Sequence, residues 1–121
     1  MGDDLTENII AAAIEVHREL GPGLLESIYE EALCHELGLR AIPYERQAAV
    51  TVRYEDRELL GQRLDLLVGG EVVVEIKSLK TLPEVVLAQV LSYLKATGCK
   101  RGLIFNFGEK RLVDGIKRVS L

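Results

Sequence analysis

The stretch RLDLLVGGEVVVEIK, residues 63–77, decides how this chain folds. Two apolar runs surround Gly69-Gly70, and a glycine pair in such a place is typical of a tight turn between two strands. After the turn the apolar residues are nearly continuous, which indicates a strand buried on both faces. The stretch therefore predicts two adjacent strands, over residues 58–68 and 71–79.

Three charged side chains interrupt these apolar strands: Asp65, Glu75 and Lys77. Because side chains alternate along a strand, Glu75 and Lys77 share a face, and an unpaired charge buried there would be costly. Two carboxylates and an ammonium group that converge in this way suit Mg²⁺ or Mn²⁺, with the lysine beside a metal-bound water. Simpler interpretations stay open: Glu75 and Lys77 form a structural pair, and Asp65 pairs with Arg63 or merely lies near the turn.

The length of the glycine loop decides whether this site can assemble. A two-residue loop would place Asp65 on the opposite face of the sheet from Glu75 and Lys77, because the face changes with every residue. A three-residue loop, residues 68–70, pairs Asp65 with Val73 and returns it to their face, and a bulge within residues 64–68 would do the same. We therefore expect an odd-length loop with a glycine at positive φ, or such a bulge, and two carboxyl groups close enough to share one ion.

Two helices precede the strands. Asp4, with Glu7 three residues later, is the expected N-cap of a first helix that runs to about Leu20, where a Gly-Pro-Gly segment prevents continuation. A second helix begins near Leu25 and ends at Gly38. Its expected apolar stripe has helical spacing: Leu25, Ile28, Tyr29, Ala32 and Leu33.

A strand and a third helix surround the central pair. The alternation over residues 44–54 predicts a strand that forms a hairpin with residues 58–68. Thr81 and Glu84 indicate a capping box, so a third helix is expected over residues 82–97, with its end at Gly98. The expected buried stripe of that helix is Leu87, Val90, Leu91 and Leu94.

Two further strands, residues 101–107 and 110–119, complete the chain. The order α-α-β-β-β-α-β-β, with a helix between the third and fourth strands, predicts a mixed sheet with helices packed on it. The 121 residues fit one domain, 1–121, with 48% hydrophobic residues. No apolar run is long enough to span a bilayer and the N-terminus is acidic, so we expect a cytoplasmic protein without a membrane anchor. Cys34 and Cys99 have no metal-ligand spacing and are expected to be free thiols.

The charge is distributed unevenly along the chain. Residues 1–39 hold nine carboxylates and one basic residue, a net charge of −8, whereas residues 40–121 hold fourteen basic and ten acidic residues, a net charge of +4. Local sign matters more than the total for binding a polyanion, so a nucleic acid partner stays open. Candidate phosphate contacts in the second part are Lys80, Lys100 and Arg101.

Two pairs of helical residues complete the set of candidates. Glu26 and Tyr29 lie one turn apart, as do Gln89 and Tyr93. Gln89 and Tyr93 fall away from the expected apolar stripe, where an amide and a phenol can bind phosphate or water, or simply form a solvated flank. Glu26 is either near the metal or a favourable charge at a helix N-terminus. The two histidines, His17 and His35, have no ligand-like spacing and are interpreted as structural or surface residues.

The chain carries Asp65 on one predicted strand and Glu75-Ile76-Lys77 on the next, and this order resembles the PD-(D/E)XK nuclease superfamily. The superfamily motif has a proline before its aspartate, whereas this chain has Leu64 before Asp65. The segment Gly23–Tyr29, GLLESIY, resembles the signature of the GxxExxY family, a small bacterial family assigned to that superfamily. The resemblance implies a restriction-endonuclease-like αβββαβ core. It also implies that Asp65, Glu75 and Lys77 form the metal site, with Glu26 and Gln89 in support.

The resemblance further implies metal-dependent hydrolysis of nucleic-acid phosphodiester bonds. Mg²⁺ or Mn²⁺ would lie between Asp65, Glu75 and the backbone carbonyl of Ile76, with Lys77 beside the attacking water. A chain this small offers a limited footprint, so a homodimer or a partner protein is expected on duplex nucleic acid. The alternative is a catalytically inactive module of the same fold that binds nucleic acid or a protein.

Overall fold

The computed structural model describes residues 4–121, which form three α-helices and a five-stranded sheet in the order β1-β2-β3-β4-β5. The elements are α1 (Asp4–Leu20), α2 (Glu26–Leu39), β1 (Tyr44–Tyr54), β2 (Arg57–Val68), β3 (Val72–Lys77), α3 (Glu84–Thr97), β4 (Arg101–Asn106) and β5 (Ile116–Ser120). β3 and β4 are parallel, and the other neighbours are antiparallel. This arrangement confirms the expected restriction-endonuclease-like α/β fold with an extra C-terminal strand.

The sheet separates two apolar cores. α1 and α2 cover one face, where Ile9 and Leu33 are fully buried, and α3 covers the other, where Val90 and Leu94 are fully buried. β3 lies between the two cores, and its residues from Val72 to Ile76 are all buried. The nearly continuous apolar run of this strand therefore reflects burial on both faces.

The loop between β2 and β3 has three residues, which confirms the expected odd length. Val68 pairs with Val72, so the loop is Gly69-Gly70-Glu71, one position later than predicted. Both glycines have positive φ, +61° and +68°, a conformation that L side chains rarely adopt. The register brings Asp65 level with Glu75, because Leu66 pairs with Val74.

The buried faces of two helices differ from the predicted stripes. Leu25, the N-cap of α2, and Ile28 are exposed, and the buried face of α2 consists of Tyr29, Glu30, Leu33, Cys34 and Leu37. On α3, Leu87 is exposed, and the buried residues are Val86, Val90, Tyr93 and Leu94. Apolar residues surround much of each helix, so spacing alone left the orientation towards the sheet undetermined.

Three helix termini also differ from prediction. Asp4 already lies within α1, and the predicted capping box of Thr81 and Glu84 is absent, since Pro83 is the N-cap of α3 without a side-chain hydrogen bond. α2 continues through Gly38, and the residue with positive φ after it is Ala41, at +58°.

The predicted last strand, residues 110–119, is divided. Residues Leu112–Gly115 form a 3-10 turn and only Ile116–Ser120 form β5. Leu112 is buried beneath the sheet, and a Cβ at Gly115 would lie 2.4 Å from the carbonyl oxygen of Asn106. Packing of this turn against the end of β4 therefore prevents a longer strand.

The two cysteines and two histidines lie in different surroundings. Cys34 and Cys99 are free thiols, as predicted. His17 is buried, with Nε2 2.8 Å from the carbonyl oxygen of Glu109, and His35 is exposed on α2. Within residues 4–121 no helix has the length and apolar content needed to cross a membrane.

The side chain of Asn106 fixes the chain beyond β3. Asn106 is 1% exposed, and its Oδ1 accepts hydrogen bonds from the backbone N–H groups of Leu79 (2.9 Å) and Gly108 (3.1 Å). Its Nδ2 donates to the carbonyl oxygen of Leu79 at 3.0 Å. These bonds hold the segment that follows Lys77 against the end of β4.

Asn106→Ala should lower the free energy of unfolding by about 3 kcal/mol, because it leaves three backbone groups of the half-buried Leu79 and Gly108 without this partner. Asn8→Ala, on an exposed position of α1, is the matched control and should change stability by less than about 0.5 kcal/mol. Urea denaturation measures both values. Equal stabilities of the two variants would contradict this role of Asn106.

Candidate metal centre

The candidate centre begins where β2 and β3 part. Their ladder pairs Leu66 with Val74 and does not continue to Asp65. At this point the Asp65 side chain takes the place of a backbone carbonyl as the partner of Ile76, since Oδ2 of Asp65 accepts a hydrogen bond from the N–H of Ile76 at 2.7 Å. The carboxylate of Asp65 is therefore held between the two strands, level with Glu75.

β2 also changes faces at Asp65. Leu64 packs in the core under α3, whereas Leu66 and Val68 pack in the core under α1 and α2. Regular alternation would place all three on one face. The backbone is thus turned at Asp65, which explains how its side chain reaches the N–H of Ile76.

Glu75 is the most enclosed charged residue of the centre. Only 4% of it is exposed, its Oε1 has no hydrogen-bond partner, and its Oε2 lies 3.8 Å from Nζ of Lys77. Burial, and then the charge of Asp65, raise the pKa of Glu75 to about 7, while Lys77 and the backbone N–H of Asp65 act in the opposite direction. The unpaired Oε1 is an unsatisfied acceptor at which a cation fits.

The pKa of Asp65 is also raised, chiefly by burial and additionally by the charge of Glu30. The N–H of Ile76, the charge of Lys77 and a hydrogen bond from Gln47 lower it, but the pKa of Asp65 stays above its ordinary value. Two adjacent carboxyl groups thus resist being ionised together. A divalent cation bound to both would favour the ionised forms.

The chemistry of these donors fits Mg²⁺ or Mn²⁺. Such ions usually take one or two protein carboxylates and complete their coordination with water and substrate oxygens. Across the described part of the chain, no three His, Cys, Asp or Glu side chains form a complete metal cluster. Asp65 and Glu75 supply the two carboxylates that such a partly hydrated ion takes.

The two α2 candidates have different surroundings. Glu26 accepts a hydrogen bond from the N–H of Ser78 at 3.3 Å, and its charge contributes to the raised pKa of Glu75. Tyr29 is buried, stacks on Phe107 at 4.4 Å, and hydrogen-bonds the backbone of the loop before α2. The structure brings Glu26 to the edge of the centre and places Tyr29 in the core.

The two α3 candidates lie on the other side of the centre. Tyr93 is 3% exposed, and burial, followed by the charges of Glu75 and Asp65, raises the pKa of its hydroxyl. A hydrogen bond with the side chain of Gln89 partly offsets this rise. Tyr93, predicted to lie outside the buried stripe, therefore belongs to it and approaches both carboxylates.

Two polar residues near Asp65 were missed from the sequence. The amide of Gln47 lowers the pKa of the Asp65 carboxylate as a hydrogen-bond donor, and its Nε2 donates to Oε1 of Glu30 at 3.0 Å. Helical spacing could have indicated the position of Glu30, because it follows Glu26 by one turn and precedes Leu33 on the buried face of α2. The spacing of Gln47 could not have indicated a place near Asp65, since a lone glutamine in a strand indicates no particular chemistry.

The predicted phosphate contacts do not converge on one site. Lys80 is exposed in the segment after β3, near Lys77. Lys100 and Arg101 lie at the start of β4, and Arg101 is 3.5 Å from Glu71. Because β3 and β4 are parallel, that start lies at the opposite end of the sheet from Lys77. The structure does not bring Lys100 and Arg101 to the candidate centre.

The raised pKa of Glu75 predicts a pH-dependent cost to stability. In metal-free buffer the unfolded chain ionises Glu75 near its ordinary pKa of 4.5, while the folded protein keeps the proton up to about 7. The folded state therefore binds more protons in this window, and its stability falls as the pH rises. Glu75→Gln should become more stable relative to wild type between about pH 5 and about pH 8, by at most about 3 kcal/mol.

Urea denaturation in the presence of a chelator measures this difference. Glu71→Gln, which alters an exposed glutamate, is the control and should show no such trend. A constant difference between Glu75→Gln and wild type across the window would contradict the enclosure of Glu75.

Comparison with family models bears on this geometry independently. The model of the PD-(D/E)XK nuclease superfamily matches residues 3–119. No curated protein and no solved structure shows significant similarity to the chain. The match is to the superfamily as a whole, so the narrower GxxExxY resemblance stays a prediction. Since the matched segment covers almost the entire chain, the protein belongs to the PD-(D/E)XK nuclease superfamily.

Proposed function

We propose that the protein is a metal-dependent nuclease that hydrolyses nucleic-acid phosphodiester bonds. The observation that carries this proposal is the unpaired, buried Oε1 of Glu75 beside the carboxylate of Asp65. A fold that only needed a structural Glu–Lys pair would satisfy both oxygens of the glutamate. Membership of the nuclease superfamily supports the same assignment.

In this proposal Asp65, Glu75 and the backbone carbonyl of Ile76 hold Mg²⁺ or Mn²⁺. The bound ion supplies a water of lowered pKa and offsets charge on the scissile phosphate. The hydrogen bond from the Ile76 N–H keeps the Asp65 carboxylate directed between the strands. Glu26, at the edge of the centre, adjusts the local charge.

Lys77 is the proposed partner of the attacking water. Its Nζ is 3.8 Å from Glu75, and its side chain is 21% exposed, so it contacts both the carboxylate and solvent. An ammonium group in this position can orient the water and stabilise the negative charge that develops on phosphate. Gln89 supplies a hydrogen-bond donor from α3 for a phosphate oxygen on the same side, and the buried Tyr93 supports the centre beside its two carboxylates.

The proposed nucleic-acid path runs over the end of the sheet where β3 terminates. Lys80 lies there, and Lys110 and Arg111 follow β4 at the same end, beyond the backbone bond between the N–H of Phe107 and the carbonyl of Lys77. These three cations replace Lys100 and Arg101 as the expected phosphate contacts. A second copy of the chain or a partner protein would extend this short path on a duplex.

Asp65→Asn, Glu75→Gln and Lys77→Ala should each reduce Mg²⁺-dependent cleavage by about 100-fold or more, since each removes a proposed ligand or water-positioning group. The test uses duplex, single-stranded and branched DNA and RNA with Mg²⁺ or Mn²⁺. Calorimetry of Mn²⁺ binding should show lost affinity for the first two variants and a smaller change for Lys77→Ala.

Glu71→Gln and Lys100→Ala, at the far end of the sheet, are the matched controls and should retain activity. Nucleic-acid binding by a wild-type protein that neither binds Mn²⁺ nor cleaves any substrate would instead establish the inactive module. Full activity of all three site variants would refute the assignment of the centre.

Neutralising Lys80, Lys110 and Arg111 together should weaken nucleic-acid binding and reduce its salt dependence. Each lost phosphate contact lowers the slope of log affinity against log salt by about 0.9 on duplex DNA. Fluorescence anisotropy at several salt concentrations measures this slope. The control removes the same number of lysines and arginines elsewhere: Lys100, Lys117 and Arg118. A larger effect in the control would place the binding path on another surface.

A further inference from the structure

The backbone of β1 has an unusual conformation directly opposite Asp65. Gln47 lies in the left-handed region, with φ +49°, although it is not a glycine and stands inside a strand. The β1–β2 register pairs Arg46 with Leu66 and Ala48 with Leu64, and it omits the position between them. Such strain persists only where surrounding contacts hold it in place.

One such contact is on the backbone, since Nη1 of Arg63 donates to the carbonyl oxygen of Gln47 at 2.9 Å, and the others come from the side chain of Gln47. Its Nε2 donates to Oε1 of Glu30 at 3.0 Å, and the same amide is close enough to the Asp65 carboxylate to lower the pKa of Asp65 as a hydrogen-bond donor. A carboxylate only accepts hydrogen bonds, and a glutamine amide has two protons to donate. The amide of Gln47 therefore lies between a carboxylate on α2, to which it donates, and a carboxylate on β2, whose pKa it lowers.

Glu30 is a fixed anchor for this bridge. Its side chain is 12% exposed, and its Oε2 lies 3.2 Å from both Nε and Nη2 of Arg46. Arg46 offsets the charge of Glu30, which leaves Oε1 to accept the amide of Gln47. The chain of contacts thus runs from α2 through Glu30 and Gln47 to Asp65.

The far side of Asp65 is fixed as well. Its Oδ2 accepts the N–H of Ile76, and β2 changes faces between Leu64 and Leu66. The left-handed turn in β1 lies across from this change of face, at the omitted register position. The two irregularities together direct the Asp65 side chain into the gap between β2 and β3.

We propose that Gln47, anchored by Glu30, is a positioning residue that directs the Asp65 carboxylate towards the metal. The inference rests on the proposed function, because it gives Gln47 and Glu30 a part in the same centre. Gln47 itself does not contact the ion or the substrate. It fixes the direction from which Asp65 approaches Glu75.

The test measures Mn²⁺ affinity by calorimetry, together with thermal unfolding. Gln47→Met keeps the length of the side chain but removes the amide, and it should weaken Mn²⁺ binding about 10- to 100-fold. Since Gln47 is exposed, this change removes no core packing. Gln47→Gly accommodates the positive φ and also lacks the amide, so it should lose affinity even if the methionine variant folds poorly.

Two matched controls separate positioning from general damage. Gln62→Met alters an exposed glutamine on β2, and Glu31→Gln alters a glutamate that contacts Arg46 at 3.0 Å but not Gln47. Both should bind Mn²⁺ as the wild type does. Glu30→Gln should weaken binding, because a neutral amide at position 30 is a weaker acceptor for Gln47.

The outcomes distinguish the two proposals. Wild-type Mn²⁺ binding that both Gln47→Met and Gln47→Gly leave unchanged would overturn the positioning role and leave the proposed nuclease centre intact. Loss of thermal stability without loss of affinity in the folded protein would also overturn it. Absence of Mn²⁺ binding by the wild type would overturn the proposed function, and this inference with it.

Discussion

The hydrogen bond from the Ile76 N–H to Oδ2 of Asp65 is the interaction on which the centre depends. A backbone carbonyl of β2 would otherwise receive this N–H and continue the ladder. With a side chain in that place, the two strands separate without leaving a buried donor unpaired. The carboxylate enters the plane of the sheet, where it lies beside Glu75. The same bond therefore ends the ladder and builds the site.

Much of this arrangement follows from the sequence because strands have a period of two. The glycine pair required a loop of odd length if Asp65 and Glu75 were to meet, and the observed loop has three residues. The exact position of this loop did not follow from the sequence, since loops over residues 68–70 and 69–71 both keep Asp65 on the same face of the sheet as Glu75. Val68 is fully buried and Glu71 is exposed, so core packing selects the second loop. That choice places Asp65 level with Glu75 rather than with Val73.

The remaining errors arise where tertiary packing decides among local options. The apolar residues of α3 permit several orientations, and the sheet selects the one that buries Tyr93. The left-handed backbone at Gln47 has no local cause, since glutamine does not favour that region. Lys100 and Arg101 were expected at the centre because they are basic, but the parallel pairing of β3 and β4 places them at the other end of the sheet.

The electrostatics of the centre indicate an order of binding within the proposed function. Burial raises the pKa values of Asp65 and Glu75 most, the charge of Glu30 adds to the rise at Asp65, and the charges of Asp65 and Glu26 add to the rise at Glu75. Lys77 lowers both pKa values without reversing the rise. Arg46 is already engaged by Glu30 and Glu31. A phosphate approaching such a group of carboxylates is repelled. A divalent cation between Asp65 and Glu75 would offset this repulsion beside the cations Lys80, Lys110 and Arg111, so within the proposed function we expect it to bind before or together with the nucleic acid.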